Sequence, residues 1–117
     1  KDRGIRAFGV HPGGIMTPLQ RHLEQEEMVA LGWMDKDGQP TERVAKMFKS
    51  ATQGASTTLW AATSPQLDGI GGVYCENCEV AAPTDDSENA RFIGVNDWAV
   101  DSDEASRLWD ETEHMLS

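Results

Sequence analysis

The sequence predicts an α/β protein in which two parallel strands are joined through a long helix. Three observations carry that expectation. The first is the order of patterns: a strand over residues 5–10, a loop with a short helix, a long helix over 41–62, a strand over 73–80 and a tail helix from Asp101. A crossover of helix length returns the second strand parallel to the first, whereas a tight turn returns it antiparallel. The second is "IRAFGV", with Ile5, Ala7 and Gly9 on one face and Phe8 and Val10 on the other. Both faces hold apolar residues, as in a strand covered on both sides. The third is "HPGG" at the end of that strand. Ligands of open α/β sheets settle beyond the carboxyl ends of the strands. A Pro followed by two glycines there leaves backbone N–H and C=O groups with no side chain in the way. A plain strand-to-helix turn would use the same residues.

Each element has its own signal. "KDRG" reads as the polar end of a preceding helix, stopped by Gly4. Pro18 suits a first helical turn, and Leu19, Leu23, Met28 and Leu31 form a short, irregular stripe behind it. "GWMDKDGQP" is a loop with an Asp-Gly turn signal. Thr41 is the expected N-cap of the long helix. Val44, Met47, Phe48, Ala51, Ala55, Thr58, Leu59 and Ala62 form its stripe, and the small Gly54 and Ala55 let it approach a sheet. Ser64-Pro65 ends it, "LDGIGG" turns the chain, and "VYCENCEV" reads as one strand. Residues 83–89 are a polar, acidic loop. Asp101 and Glu104 make a pair resembling a capping box. Ala105, Leu108, Trp109, Thr112, Met115 and Leu116 give the tail helix its apolar side.

The chain has 117 residues, enough for one small domain, and carries 20 acids against 10 bases for a net charge of −10. That balance opposes a nucleic-acid or anionic-membrane surface, which needs clustered Lys and Arg. No stretch has the length of a transmembrane helix and no signal peptide is visible. Two cysteines point to a reducing, cytoplasmic setting. A chain that opens at Lys1, in the run-up to a strand, reads as part of something longer.

Three segments resemble one family. "VHPGGIMTP" resembles the Pro-Gly-x-x-x-Thr segment after the sixth strand of short-chain dehydrogenases/reductases. "TQGASTTLWAATSPQLDGIGGVYCENCEVA" is similar to the long helix and seventh strand of the retinol-dehydrogenase-like branch, and "DEASRLWDETEHML" to its C-terminal helix. The resemblance covers essentially the whole chain, in the right order. It implies the C-terminal half of a reductase: residues 1–117 as the last part of a Rossmann-type doubly wound parallel sheet, with 17–40 as the substrate-loop region and 101–117 as the tail helix. The family's Gly-rich loop, Ser and Tyr-x-x-x-Lys pair do not occur here. Tyr74 is the only tyrosine, and position 78 is Cys. No catalytic residue is therefore expected in this chain, which should be inactive alone.

The resemblance further implies a full-length parent dependent on NAD or NADP that passes hydride between the cofactor and a small carbonyl or alcohol substrate. Pro12, Gly13, Gly14, Ile15 and Thr17 carry over as cofactor-binding, with Gly14 keeping the approach open. A planar carboxamide wants a paired N–H and C=O at fixed spacing, which a main chain supplies. Leu19, Leu23, Met28 and Trp33, with Met34, would give the substrate loop an apolar, adaptable lining; packing on the sheet is the other reading.

The remaining motifs weigh less. Cys75-Glu-Asn-Cys78 has neither a second Cys pair nor a His cluster to complete a metal site, since His11, His22 and His114 are scattered. Positions three apart on one strand point to opposite faces, which is poor disulfide geometry. A buried strand cysteine is the better reading. His11 could touch substrate or cofactor, and Glu24, Glu26 and Glu27 read as a solvated face. The rival functional reading is a stand-alone interaction or small-molecule-binding module without catalysis. In either case a half sheet exposes an edge, so the isolated chain is expected to self-associate.

Overall fold

The computed structural model describes residues 4–84 and 93–117. It is an α/β arrangement around a three-stranded sheet of order β1-β2-β3: β1 is Phe8–His11, β2 Val73–Glu76 and β3 Glu79–Val80. β1 and β2 pair in parallel, with Phe8 opposite Val73 and His11 opposite Glu76. Between them lie α1 (Gln25–Ala30), α2 (Glu42–Met47) and α3 (Ala51–Thr63). A tail helix, α4, spans Ser102–Leu116. The expected helix end at Lys1–Gly4 lies mostly outside the described residues, as do residues 85–89 of the acidic loop.

The parallel pair and its helical crossover agree with the sequence reading, but the element expected at 41–62 is two helices. Phe48 is extended, with φ −80° and ψ 141°. Ser50 then caps α3 in a capping box, its hydroxyl accepting from Gln53 N–H while the Gln53 side chain accepts from Ser50 N–H. Because α3 starts afresh at Ala51, its buried side is Gly54, Thr57 and Ala61. Ala51, Ala55, Thr58, Leu59 and Ala62 of the expected stripe are exposed.

The strand expected over 73–80 is likewise two strands. Asn77 and Cys78 both have positive φ, 50° and 61°, and turn the chain back into β3. Such a two-residue turn matches the right-handed twist of a hairpin. The geometric reason against a disulfide along one strand therefore does not apply. Both thiols are nonetheless free, Cys75 buried in β2 and Cys78 exposed in the turn.

The core is small. Leu67, Thr57 and Cys75 are the largest fully buried side chains. Ala61, Leu67 and Cys75 form the packed centre, with Phe8, Val10, Trp60 and Val73 around it. Phe8, Val10, Val73 and Cys75 share one sheet face by alternation, and α3 covers it. The other face of β1 is not covered as expected: Ala7 and Gly9 are exposed and Ile5 is 71% exposed. The radius of gyration is 17.8 Å, against roughly 13 Å for a compact domain of this length. Among the described residues no layer covers the Ala7–Gly9 face of β1. No described helix is long and apolar enough to cross a membrane.

Burial pushes the Cys75 thiol up from its ordinary 9.0. Burial first, and the Glu76 carboxylate second, push Tyr74 up from 10.0. Both groups are neutral when folded and lose their protons more readily unfolded. Their contribution is thus fully present below the ordinary values and is lost as pH rises through them. The thermal midpoint should fall between neutral pH and about pH 10, and fall less in Tyr74→Phe. A midpoint that rises over that range would contradict the assignment.

Candidate functional site

β1 ends at His11, and the turn that follows is held from below. Gly13 has φ 92°, which favours glycine. A Cβ on Gly13 would lie 3.0 Å from Lys49 side-chain carbons, and one on Gly14 3.0 Å from the Phe48 ring. The extended joint between α2 and α3 runs alongside this turn: Lys49 N–H donates to Gly14 C=O at 2.8 Å, and Ile15 and Lys49 form a parallel bridge. The Ile15 side chain lies over Gly54 of α3. The break in the long helix therefore braces the Pro-Gly-Gly turn.

Thr17 caps a 3-10 turn, Pro18–His22, its hydroxyl accepting from Leu19 N–H at 3.2 Å. Thr17 N–H donates to Gln20 Oε1 at 2.7 Å, completing a capping box. Gln20 Nε2 reaches back to Ile15 C=O at 2.9 Å. A Thr-Pro-x-Gln sequence thus fixes the exit of the turn by local hydrogen bonds.

Two cavities flank this turn. The larger, 590 Å³, lies between the turn, the α2–α3 joint and the end of β2. His11, Gly13, Gly14, Trp33, Phe48 and Lys49 contribute to its lining, as do Arg43, Glu76 and Asn77. The smaller, 290 Å³, is lined by Pro12, Gly13, Gly14, Ile15, Thr17, Leu19, Gln20, Trp33 and Phe48. Trp33 and Phe48 meet edge to face at 5.7 Å and stand beside both. All five residues expected at the cofactor line the smaller cavity, together with Leu19 and Trp33 of the expected loop lining. Leu23 and Met28 line neither; they are half-buried in the Pro18–His22 and α1 region.

Sequence reasoning missed the polar end of β2. Glu76 is buried, its Oε1 accepting from Gly94 N–H at 2.7 Å and its Oε2 3.8 Å from His11 Nδ1. The His11 and Tyr74 rings stack with centroids 6.4 Å apart. Cys78 N–H donates to the buried Thr57 hydroxyl at 3.3 Å, tying the hairpin turn to α3. Lys49 Nζ donates to Asn77 Oδ1 at 2.7 Å. Aligning β1 and β2 in parallel from the sequence would have placed Glu76 beside His11, and the Ser50…Gln53 pair would have placed Lys49 at a helix start.

The chain is similar to curated proteins of one kind. It is 36% identical over 115 residues to a protein described as "Short-chain dehydrogenase/reductase prx1" from Penicillium roqueforti, covering 98% of this chain and 32% of that protein. It is 38% identical over 114 residues to a "Probable oxidoreductase" of Streptomyces lividans, covering 97% and 37% respectively. It is 31% identical over 108 residues to "Short-chain dehydrogenase TIC 32 B, chloroplastic" of Brassica napus, covering 91% and 26%. The chain spans about a third of the length of these relatives, rather than the half that the motif order implies. No family profile and no solved structure matches it.

Proposed function

Because this chain belongs to the short-chain dehydrogenase/reductase family over a third of its relatives' length, we propose that it forms the nicotinamide-side ledge and substrate wall of an NAD(P)-dependent oxidoreductase acting on a carbonyl or alcohol. The observation that carries this reading is the braced Pro-Gly-Gly turn at the carboxyl end of a parallel strand, with Gly13 and Gly14 lining both cavities. The residues fit a planar amide. The two glycines bring main chain to the cavity surface without a side chain, and the Ile15 carbonyl, already bonded to Gln20, keeps a second lone pair.

A bound nicotinamide would supply hydride chemistry. The work of this chain is placement. Pro12, Gly13, Gly14 and Ile15 present the ledge, and Thr17 locks its exit through the cap. Trp33 and Phe48 keep water from one side. Proton transfer falls to residues outside this chain, because Tyr74 has no Lys four positions on. The isolated 117 residues should give no NAD(P)H-dependent turnover of a carbonyl panel, and steady turnover would defeat this division of labour.

The test uses the protein that carries this chain over the full length of its relatives. NADH or NADPH should bind, read by nicotinamide fluorescence; binding of neither would end the proposal. Thr17→Ala should raise the KM for the dinucleotide about two- to tenfold, the loss expected for one hydrogen bond or cap. Thr17→Ser, which keeps the capping oxygen, should restore most of it. Unchanged KM and kcat in Thr17→Ala would remove Thr17 from the site.

A further inference from the structure

We propose that the larger cavity selects a carbonyl or alcohol substrate that also carries a carboxylate, and that Lys49 determines this selection. The inference rests on the oxidoreductase reading above and names the substrate class for it.

The charge in the cavity runs against the rest of the chain. The molecule carries a net charge of −10, yet the Lys49 ammonium lines this cavity, and Glu76 is the only carboxylate among the described residues of its lining. That carboxylate is turned inward: its side chain is 6% exposed and accepts from Gly94 N–H, with His11 Nδ1 3.8 Å from its other oxygen. Lys49 is half-buried. Its Nζ lies 3.1 Å from where a Gly13 Cβ would stand, directly over the ledge. Its hydrogen-bond partner is neutral, Asn77 Oδ1 at 2.7 Å.

That bond leaves a set of donors. An ammonium has three protons, so two remain on Lys49. With Oδ1 used as acceptor, the Asn77 amide presents its NH₂ next to them. A carboxylate, with two acceptor oxygens, takes two or more such donors at once. Trp33, Met47 and Phe48 give the same cavity apolar surface. Donors and charge within a lining that also holds aromatic and aliphatic surface fit an acid with an apolar body better than a nucleotide phosphate, which would need no such surface.

The experiment compares 4-carboxybenzaldehyde with benzaldehyde in the relative-length protein, by kcat/KM with NADH or NADPH and by calorimetric Kd in the presence of the dinucleotide. The carboxylated aldehyde should be preferred about tenfold, mainly through KM, as expected for hydrogen bonds to a charged group. Added salt should lower the preference. Lys49→Gln should bring the ratio toward one. Asn77→Asp should do the same by placing a carboxylate against the ammonium, and Asp tolerates the left-handed backbone there. A wild-type ratio of one, or a ratio that survives both substitutions, overturns the proposal. So does a KM rise that falls on the dinucleotide instead of the aldehyde, or failure of both aldehydes to bind a protein that does bind the dinucleotide. Those outcomes leave the oxidoreductase reading standing; failure of the dinucleotide itself to bind overturns both.

Discussion

Gly54→Ala should destabilise the protein even though alanine is the better helix former. In a helix interior the exchange normally gains about 1 kcal/mol. Here the new Cβ would lie 2.2 Å from Ile15 Cδ1 and 2.9 Å from its Cγ1. Overpacking of this kind costs about 1–3 kcal/mol. The main chain at Ile15 is held by Gln20 on its carbonyl at 2.9 Å and by Lys49 on that of Gly14 at 2.8 Å, so the half-buried Ile15 side chain must rotate off its place over α3. That rotation gives up the packing of Ile15 against α3, and the nearest backbone atom, Pro12 O at 3.8 Å, is not crowded. Urea midpoints of Gly54→Ala, Ile15→Ala and the double variant form a cycle. In the Ile15→Ala background the glycine exchange should turn stabilising. A higher midpoint for Gly54→Ala with Ile15 intact would show that the helix slides freely over the turn.

The isolated chain is expected to self-associate, and this is the second large effect. β3 is two residues long and exposed, so it blunts one side of the sheet. β1 lies at the other side, and among the described residues nothing pairs with its outer edge. Beside it, Arg6, Phe8, Val10, Thr58, Ala61 and Ala62 line an open groove of 370 Å³. α4 adds a second unpacked surface: Leu108, Trp109, Met115 and Leu116 are each at least 67% exposed. Unpaired backbone and apolar area of this kind draw chains together, and a net charge of −10 slows that without satisfying the backbone groups. Sedimentation across a wide concentration range should show mass rising to a dimer or beyond. A monomer at high concentration with cooperative unfolding would favour the self-sufficient binding module instead.

What was legible in the sequence is what local chemistry decides. Asp101 caps α4 through Asp103 and Glu104 N–H, as its position announces. Pro65 follows the end of α3, and Gly69 and Gly72 turn the chain at positive φ. The Pro-Gly-Gly turn stands at the end of β1 as read. The break at 48–50 was hidden because Val44, Met47, Phe48 and Ala51 continue one stripe. Periodicity does not register a short extended joint when the apolar spacing runs through it. The hairpin was hidden for a different reason: Asn takes the left-handed region readily, but Cys seldom does, so "VYCENCEV" reads as one strand. Lys49, Glu76 and Asn77 were out of reach because only the strand register and the helix break bring them to the same cavity. Leu23 and Met28 show the converse: an apolar stripe names a face and does not say which cavity it meets.

The hairpin turn also divides the two thiols by reactivity. Cys75 is fully enclosed, at 0% exposure, whereas Cys78 projects at the surface with its sulfur 4.0 Å from the Thr57 hydroxyl. A maleimide reagent should therefore couple once to the native protein and twice to the denatured one. The single adduct would sit next to Asn77, at the rim of the larger cavity. The chain thus carries a natural attachment point for a dye or spin label, with which occupancy of that cavity can be followed without introducing a new cysteine.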